Sequence, residues 1–334
     1  MKLEKVRWGI IGCGNVTEVK SGPAFQKIKN SELVAVMRRT GELAEDYAKR
    51  HHVSKWYDDA DALINDPDVD AVYIATPPGS HKEYTLKAAK AGKPVYVEKP
   101  MALNWAECND MIVACKASRV PLYVAYYRRA QPRFIKIKEL LKSKIIGDIR
   151  FVSTTQYQKA REDVMNPENL PWRVQPELSG GGLFFDLASH TLDMLDFLLG
   201  PIKEANGFAS NQAGLYRAED IVTGTYQFES GTHGIGSWCF SAFENVDVNE
   251  IIGSKGKITF STFGDDPVIL ITDDGKEEWS FERPQHVHQP LLETIVDELT
   301  GGNRKCPSTG ATGARTNWVM DELVKVKRKS NHDS

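Results

Sequence analysis

The sequence has little that would staple it together or anchor it in a membrane. Among 334 residues there are five cysteines, Cys13, Cys108, Cys115, Cys239 and Cys306. Their odd number, wide spacing and lack of a CxxC pair point to neither a disulfide framework nor a zinc site. Reduced thiols in a cytoplasmic protein are the expectation, and Cys108 and Cys115 on an expected helix read as core packing. No apolar run approaches the roughly 20 residues that span a bilayer. The start, Met1-Lys2-Leu3-Glu4-Lys5, mixes charges where a signal peptide would carry apolar residues. The formal net charge of -3 implies no basic surface for nucleic acid. There is no internal repeat and no low-complexity segment. The basic run Lys325–Lys329 reads as a solvated helix end that complements its dipole.

A chain of 334 residues is long for one core, so two domains are expected. Apolar runs at 6–11, 33–37, 70–75, 95–97 and 121–125 alternate with helical stretches, among them 41–51, 80–90 and 104–117. Strands alternating with helices predict an α/β Rossmann domain built on a parallel sheet, over residues 1–126. From residue 148 the pattern changes. Strands are expected at 150–157, 204–211, 219–229, 232–242, 246–253, 257–262 and 267–273, separated by Gly, Asp and Asn turns. A helix is expected to open at Ser179-Gly180-Gly181-Gly182 and run to Leu199, with further helices at 287–299 and 308–328. Residues 127–334 thus read as an α+β domain with a large, mainly antiparallel open sheet.

The run Gly12-Cys13-Gly14-Asn15-Val16-Thr17 fits G-x-G-x-x-[small] between a strand and a helix. The first glycine permits the tight turn, and the second lets the backbone approach a pyrophosphate on the helix N-terminus. Thr17 stands where Gly or Ala is usual and asks for slightly looser helix packing. The second strand ends in Met37-Arg38-Arg39-Thr40, with no carboxylate before Glu42. An NAD site would usually place Asp or Glu there for the ribose 2′-hydroxyl. Two guanidinium groups suit a 2′-phosphate, so NADP(H) is the preferred cofactor and NAD(H) the second choice. The alternative is that Arg38 and Arg39 are solvated loop charges.

Lys99 leaves a parallel strand at its carboxyl end, where open α/β sheets place their ligands. Hydride transfer to a ketone puts negative charge on oxygen, which calls for a proton donor or a cation. Glu98 is suited to hold ribose hydroxyls or to orient the lysine. Asp186 and His190, four apart on an expected helix, share a face, and Asp193 lies near it. Together they suit a proton relay or a grip on a sugar hydroxyl. A metal held by this pair is the sharper alternative, but no third ligand cluster is apparent. A purely helix-stabilising pair is the plainer one.

Val95-Tyr96-Val97-Glu98-Lys99-Pro100 resembles the signature of the Gfo/Idh/MocA oxidoreductases. Thr76-Pro77-Pro78-Gly79-Ser80-His81 resembles that family's loop beside the nicotinamide ribose, which implies cofactor contacts at Thr76, Pro77, Pro78 and His81. Gly180-Gly181-Gly182 through His190 resembles its substrate-domain helix. The three matches fall in the family's order and cover most of the chain. They imply that Lys99 and His190 handle the proton and that Asp186 positions them. Tyr126, Tyr127, Arg128 and Arg129 sit where the family's chain crosses between domains. Arg129, Tyr157, Trp172 and Arg173 are candidates to frame a sugar, polyol or related hydroxy/keto substrate. Some of these aromatics read equally well as core. The histidine pairs His51–His52 and His286–His288 carry no assigned chemistry.

The preferred reading is an NADP(H)-dependent oxidoreductase of the CH-OH class. Its rivals are a non-catalytic dinucleotide-sensing regulator and an NAD-using glycosidase of the same family. Ile235-Gly236-Ser237-Trp238-Cys239-Phe240 places large apolar groups on a sheet with few helices to cover both faces. With the family resemblance, that predicts a homodimer or homotetramer formed through the sheet.

Overall fold

The computed structural model describes the backbone of residues 3–330 and side chains up to residue 325. The basic run beyond Lys325 lies outside the described side chains, while Lys325 itself pairs with Glu322 at 2.9 Å. No described helix is long and apolar enough to cross a membrane. The chain divides into two compact units. One comprises the residues up to Gln131 with Pro284–Ala314, and the other Pro132–Arg283 with the residues from Arg315 on.

The first unit carries six strands: β1 (Val6–Ile11), β2 (Ser31–Met37), β3 (Lys55–Tyr57), β4 (Ala71–Ile74), β5 (Val95–Val97) and β6 (Leu122–Val124). They lie in the order β3-β2-β1-β4-β5-β6, and every pair is parallel. The near-continuous apolar strands follow from burial on both faces. One face packs a cluster with Trp8, Phe25, Tyr73 and Tyr96. The other packs Ile11, Leu63, Ile74 and Met101, together with Cys108 and Cys115, the core cysteines expected from the sequence. Because β1 pairs with both β2 and β4, the strand order reverses there. The carboxyl ends of β1 and β4 therefore flank a crevice of the kind that takes dinucleotides.

The compact units differ from the expected boundary at 126/127 in two respects. The first unit runs on to Gln131, and the chain later returns Pro284–Ala314 to it. The helix Gln289–Leu299 presents Leu291, Leu292, Ile295, Val296 and Leu299 to the Trp8 cluster. That stripe at helical spacing covers a sheet face that would otherwise be wet. Ser308 then clasps edge strand β6, its carbonyl accepting from Val124 N–H and its hydroxyl donating to the Val124 carbonyl. Nothing local in the sequence marks a segment that rejoins a sheet left more than 150 residues earlier.

The second unit has eight strands: β7 (Ile149–Tyr157), β8 (Ile202–Ser210), β9 (Ile221–Phe228), β10 (His233–Cys239), β11 (Val246–Gly253), β12 (Gly256–Phe260), β13 (Val268–Thr272) and β14 (Gly275–Trp279). Their order is β14-β13-β12-β11-β7-β10-β9-β8. Every pair is antiparallel except β7 with β10. Strands β3 and β14 were not foreseen. One is three residues long, the other reads Gly-Lys-Glu-Glu-Trp, and neither carries the alternation that marks a strand.

The expectation for residues 235–240 is also corrected. Trp238 and Phe240 are buried in the unit's own core, with Phe184 edge-on to Trp238. Of that run's large side chains, Ile235 faces outward. The open face is instead a mixed row. Phe208 pairs in register with Thr223, then Ser237, Thr155 and Val248, and Phe208 is 79% exposed.

The long helix expected from Ser179 is broken in its first turns. A short helix, Pro176–Ser179, stops at Gly180, whose φ of 86° is the left-handed conformation that glycine adopts most readily. A π-helical turn, Phe184–Ala188, then leads into the α-helix Ser189–Leu199. Glu219 accepts the Gly182 N–H at 2.7 Å and so satisfies an amide at the broken end.

Candidate active site

Gly12 turns the chain at the end of β1 with φ of 89°, and a Cβ there would lie 2.8 Å from the Thr76 methyl group. Only glycine fits both the backbone angle and the approach. Gly12 and Cys13 donate their N–H groups to the Met37 carbonyl, which folds the turn over the end of β2. At Gly14, by contrast, the nearest atom to a built Cβ is the Gly12 carbonyl at 3.8 Å. The backbone there faces open space, as close approach of a pyrophosphate requires. Thr17 does not loosen the packing as expected. It is fully buried, its hydroxyl donates to the Gly14 carbonyl at 2.8 Å, and its own carbonyl accepts from Tyr47. The threonine thus knits the turn to the first helix, in which Asn15 and Val16 also lie.

Arg38 and Arg39 are exposed at the carboxyl end of β2. Among the described residues neither guanidinium has a hydrogen-bond or ion-pair partner. They stand at the strand end beside which the adenosine ribose of a dinucleotide lies in this kind of fold.

At the end of β4, Thr76, Pro77 and Pro78 form the loop beside the glycine turn. His81 lies beneath it. Its ring is fully buried, with Nε2 2.7 Å from the Thr76 carbonyl and Nδ1 3.1 Å from that of Pro100. The ring braces the loop against the turn after Lys99 rather than presenting itself to a ligand. Burial lowers its pKa from the ordinary histidine value, against the pull of those carbonyls.

Glu98 and Lys99 follow β5. Glu98 is buried; its Oε1 accepts the Tyr73 hydroxyl at 2.5 Å and its Oε2 the Lys99 N–H at 3.1 Å. Burial pushes its pKa up, while the Tyr73 hydrogen bond and the Lys99 charge pull it down. His288 approaches the same carboxylate, with Nε2 3.6 Å from Oε1. The sequence assigned His288 no chemistry, and Tyr73 read only as a strand residue. Arg129 is likewise buried and donates to the Pro307 carbonyl at 3.2 Å. Little of its surface is left for a substrate.

In the second unit the π-helical turn carries Asp186, and the α-helix after it carries His190. Turns of this kind inside helices recur at functional sites. Asp186 accepts from Arg173 Nε at 3.1 Å, and the Arg173 guanidinium lies 4.5 Å from the Trp172 ring centroid. Asp186, expected to position the proton relay, is thus brought together with Arg173 and Trp172, expected to frame the substrate. The His190 ring meets Phe263 edge-on at 5.6 Å. Phe263 sits on a loop whose shape is set by Asp247, which accepts the N–H groups of Thr262, Phe263 and Gly264.

Beside that loop is a cavity of about 540 Å³. Its walls include Gln156, Tyr157, Lys159, Arg161, Asn245, Asp247 and Phe263. Tyr157 was foreseen; Gln156, Asp247 and Phe263 were not. The amide of Gln156 is buried with both ends unpaired among the described residues. An alternating strand gives no sign of which polar residue ends beside a cavity. Trp172, Arg173, Asp186 and His190 are not among the cavity's walls.

The glycine turn at the switch point, with Glu98 and Lys99 at a neighbouring strand end, defines a dinucleotide-binding Rossmann unit. The chain belongs to the Gfo/Idh/MocA oxidoreductase family. The family's NAD-binding Rossmann-fold domain matches residues 6–126, and its C-terminal domain matches residues 134–259. A protein named as an oxidoreductase from Formosa agariphila is 41% identical over 95% of this chain and 98% of its own length. A myo-inositol 2-dehydrogenase from Thermotoga maritima is 29% identical over 89% of each chain. A 1,5-anhydro-D-fructose reductase from Ensifer adhaerens is 30% identical over 67% of this chain and 66% of its own. Among solved structures, a levoglucosan dehydrogenase in complex with NADH superposes with a TM-score of 0.87 at 24% identity, covering 97% of each chain. An aldose-aldose oxidoreductase from Caulobacter crescentus reaches a TM-score of 0.84 at 26% identity, covering 98% of each.

Proposed function

We propose that this chain is an NADP(H)-dependent oxidoreductase that interconverts a hydroxyl and a keto group on a sugar, polyol or closely related compound. The observation that carries the reading is the placement of Lys99. It lies two residues beyond the end of β5, with its backbone N–H held by the buried Glu98 carboxylate. Relatives named for inositol and anhydrofructose support the substrate class. The open space over Gly14 and the unpaired Arg38 and Arg39 support the cofactor.

In this reading Gly12, Gly14, Asn15, Val16 and Thr17 hold the pyrophosphate. Arg38 and Arg39 hold the 2′-phosphate, and Thr76, Pro77, Pro78 and Glu98 shape the nicotinamide end, with His81 as their brace. The bound nicotinamide supplies or accepts the hydride. Lys99 stabilises the substrate oxygen as charge develops on it, and Lys99 or His190 moves the proton. Asp186, fixed by Arg173, positions His190 from the preceding helical turn. Trp172 offers a ring to an apolar sugar face, whereas the Tyr157 ring turns to the open face of the sheet, where its hydroxyl pairs with Ser237 at 3.1 Å.

The test is a cofactor-coupled absorbance screen of the purified protein over ketoses, inositols, anhydrosugars and diols, with NADPH and NADH in parallel. Turnover with one of these classes is expected, faster with the phosphorylated cofactor. Nucleotide binding without turnover on any class would favour a sensor instead. Release of free sugar without net redox change would favour a glycosidase. Self-association through the open face of the second sheet is part of the same proposal.

A further inference from the structure

His288 reaches the interior of the first unit from the returned segment, and its ring is 1% exposed. It packs against Tyr127 with ring centroids 4.6 Å apart. Its Nδ1 lies 2.8 Å from the Tyr96 hydroxyl, and its Nε2 3.6 Å from Oε1 of Glu98. Burial, together with the charges of Lys20, Lys99 and Arg128, lowers the ring's pKa to about 3. The imidazole is therefore neutral and carries one N–H. Beside a phenol on one nitrogen and a carboxylate on the other, the favoured arrangement has Tyr96 O–H donating to Nδ1 and the N–H on Nε2 facing Glu98. Tyr73 holds the same carboxylate oxygen by its hydroxyl.

We propose that His288 is a positioning residue for the nicotinamide half of the dinucleotide site, acting through Glu98. The proposal rests on the dinucleotide reading above. Along β2-β1-β4-β5, the adenosine ribose belongs at β2 and the pyrophosphate at β1, so the nicotinamide falls toward β4 and β5. Glu98 follows β5 directly and holds the backbone N–H of Lys99. The Tyr73 hydroxyl holds Oε1 of the carboxylate and the Lys99 N–H holds Oε2. An imidazole N–H directed at Oε1, the oxygen that Tyr73 also holds, resists rotation of the carboxylate away from that orientation. At 3.6 Å the contact is longer than a hydrogen bond. It acts as a directional electrostatic restraint, strengthened by the low local dielectric. Arg38 lies three strands away in the sheet, roughly 14 Å at the usual strand spacing. His288 should therefore govern one half of the cofactor and not the other.

The experiment compares NADPH with 2′,5′-ADP, which lacks the nicotinamide half, by calorimetric titration of the full-length protein. His288→Phe keeps the ring volume and the packing on Tyr127 but removes both nitrogens. Its NADPH affinity is expected to fall by about five- to twentyfold while 2′,5′-ADP affinity is unchanged. His288→Gln, which returns an N–H near the Nε2 position, should recover most of the loss. Tyr96→Phe should weaken NADPH in the same direction, and combining it with His288→Phe should add nothing, because both act through one chain of contacts.

Unchanged NADPH affinity in folded His288→Phe would overturn the proposal. So would equal weakening of both nucleotides, the mark of a general structural role. If His288→Phe fails to fold, Tyr96→Phe decides by the same NADPH to 2′,5′-ADP ratio. Failure of the unmodified protein to bind either nucleotide would instead overturn the dinucleotide reading, and this proposal with it.

Discussion

Tyr73 donates its hydroxyl to Oε1 of Glu98 across 2.5 Å, in the interior of a parallel sheet and 25 residues away in sequence. The bond matters because the carboxylate is buried and its pKa is raised above the ordinary value. A group raised in this way contributes stability below the ordinary carboxylate range, and that contribution is lost as pH rises through the folded value. Tyr73→Phe removes a donor to the ionised form and raises the pKa further. The variant should lose about 1–3 kcal/mol at neutral pH. It should lose clearly less once pH falls below the carboxylate range. Urea denaturation at the two pH values measures this, and equal losses would contradict it.

Arg38→Ala tests the cofactor phosphate. A charged hydrogen bond is worth about 1.5–3 kcal/mol, so NADPH should bind roughly ten- to a hundredfold more weakly. NADH should be little affected. Equal affinities of the unmodified protein for the two cofactors would remove the basis of the prediction.

Lys99→Ala should lose about 10²-fold or more in turnover on a confirmed substrate, the usual scale for removal of a general acid. Its cofactor affinity should fall much less, because the glycine turn and the arginines are untouched. Steady-state kinetics and a separate fluorescence titration separate the two. Near-normal turnover in Lys99→Ala would refute the chemistry while leaving the fold intact.

Phe208→Glu and Ile235→Glu test the open sheet face. Both side chains point away from the core, so the folded unit should tolerate the change with at most a small shift in thermal midpoint. Light scattering should show the unmodified protein as a dimer or larger and the double variant at lower mass. A monomeric unmodified protein at micromolar concentration would sink the idea.

Asp247→Asn tests the loop beside the cavity. The carboxylate accepts three backbone N–H groups, and an amide can offer only one oxygen. The substitution should weaken substrate affinity by reshaping the loop that carries Phe263, with cofactor affinity unchanged. A substrate KM equal to that of the unmodified protein would show that the loop does not serve the site.

Much of the candidate site was legible because its signals are local. Gly12 and Gly14 sit two residues apart, Glu98 and Lys99 are adjacent, and Asp186 and His190 are one helical turn apart. The first two are spacings that one strand end turns directly into geometry, whereas the third crosses from the π-helical turn into the α-helix. His288, Tyr73, Asp247 and Phe263 carry no such mark, since each acquires its role from a partner on another element. Tyr96 and His288, for example, are 192 residues apart. Nor could alternation say which face of a sheet would be covered. Trp238 and Phe240 read as surface apolar groups until the core packed on their face, with Phe184 edge-on to Trp238, put them inside.

By itself the sequence determined the two sheets, the glycine turn, the arginines at the end of β2 and the lysine at the end of β5. These depend on backbone periodicity and on residues that turns and strand ends require, which a short window contains. Only the tertiary structure decided where the first unit ends, because Pro284–Ala314 returns to it through an apolar helix face and a clasp on β6. It alone placed a neutral histidine beside Glu98. Burial of that imidazole and that carboxylate is a property of the packed interior, and no stretch of either neighbourhood encodes it.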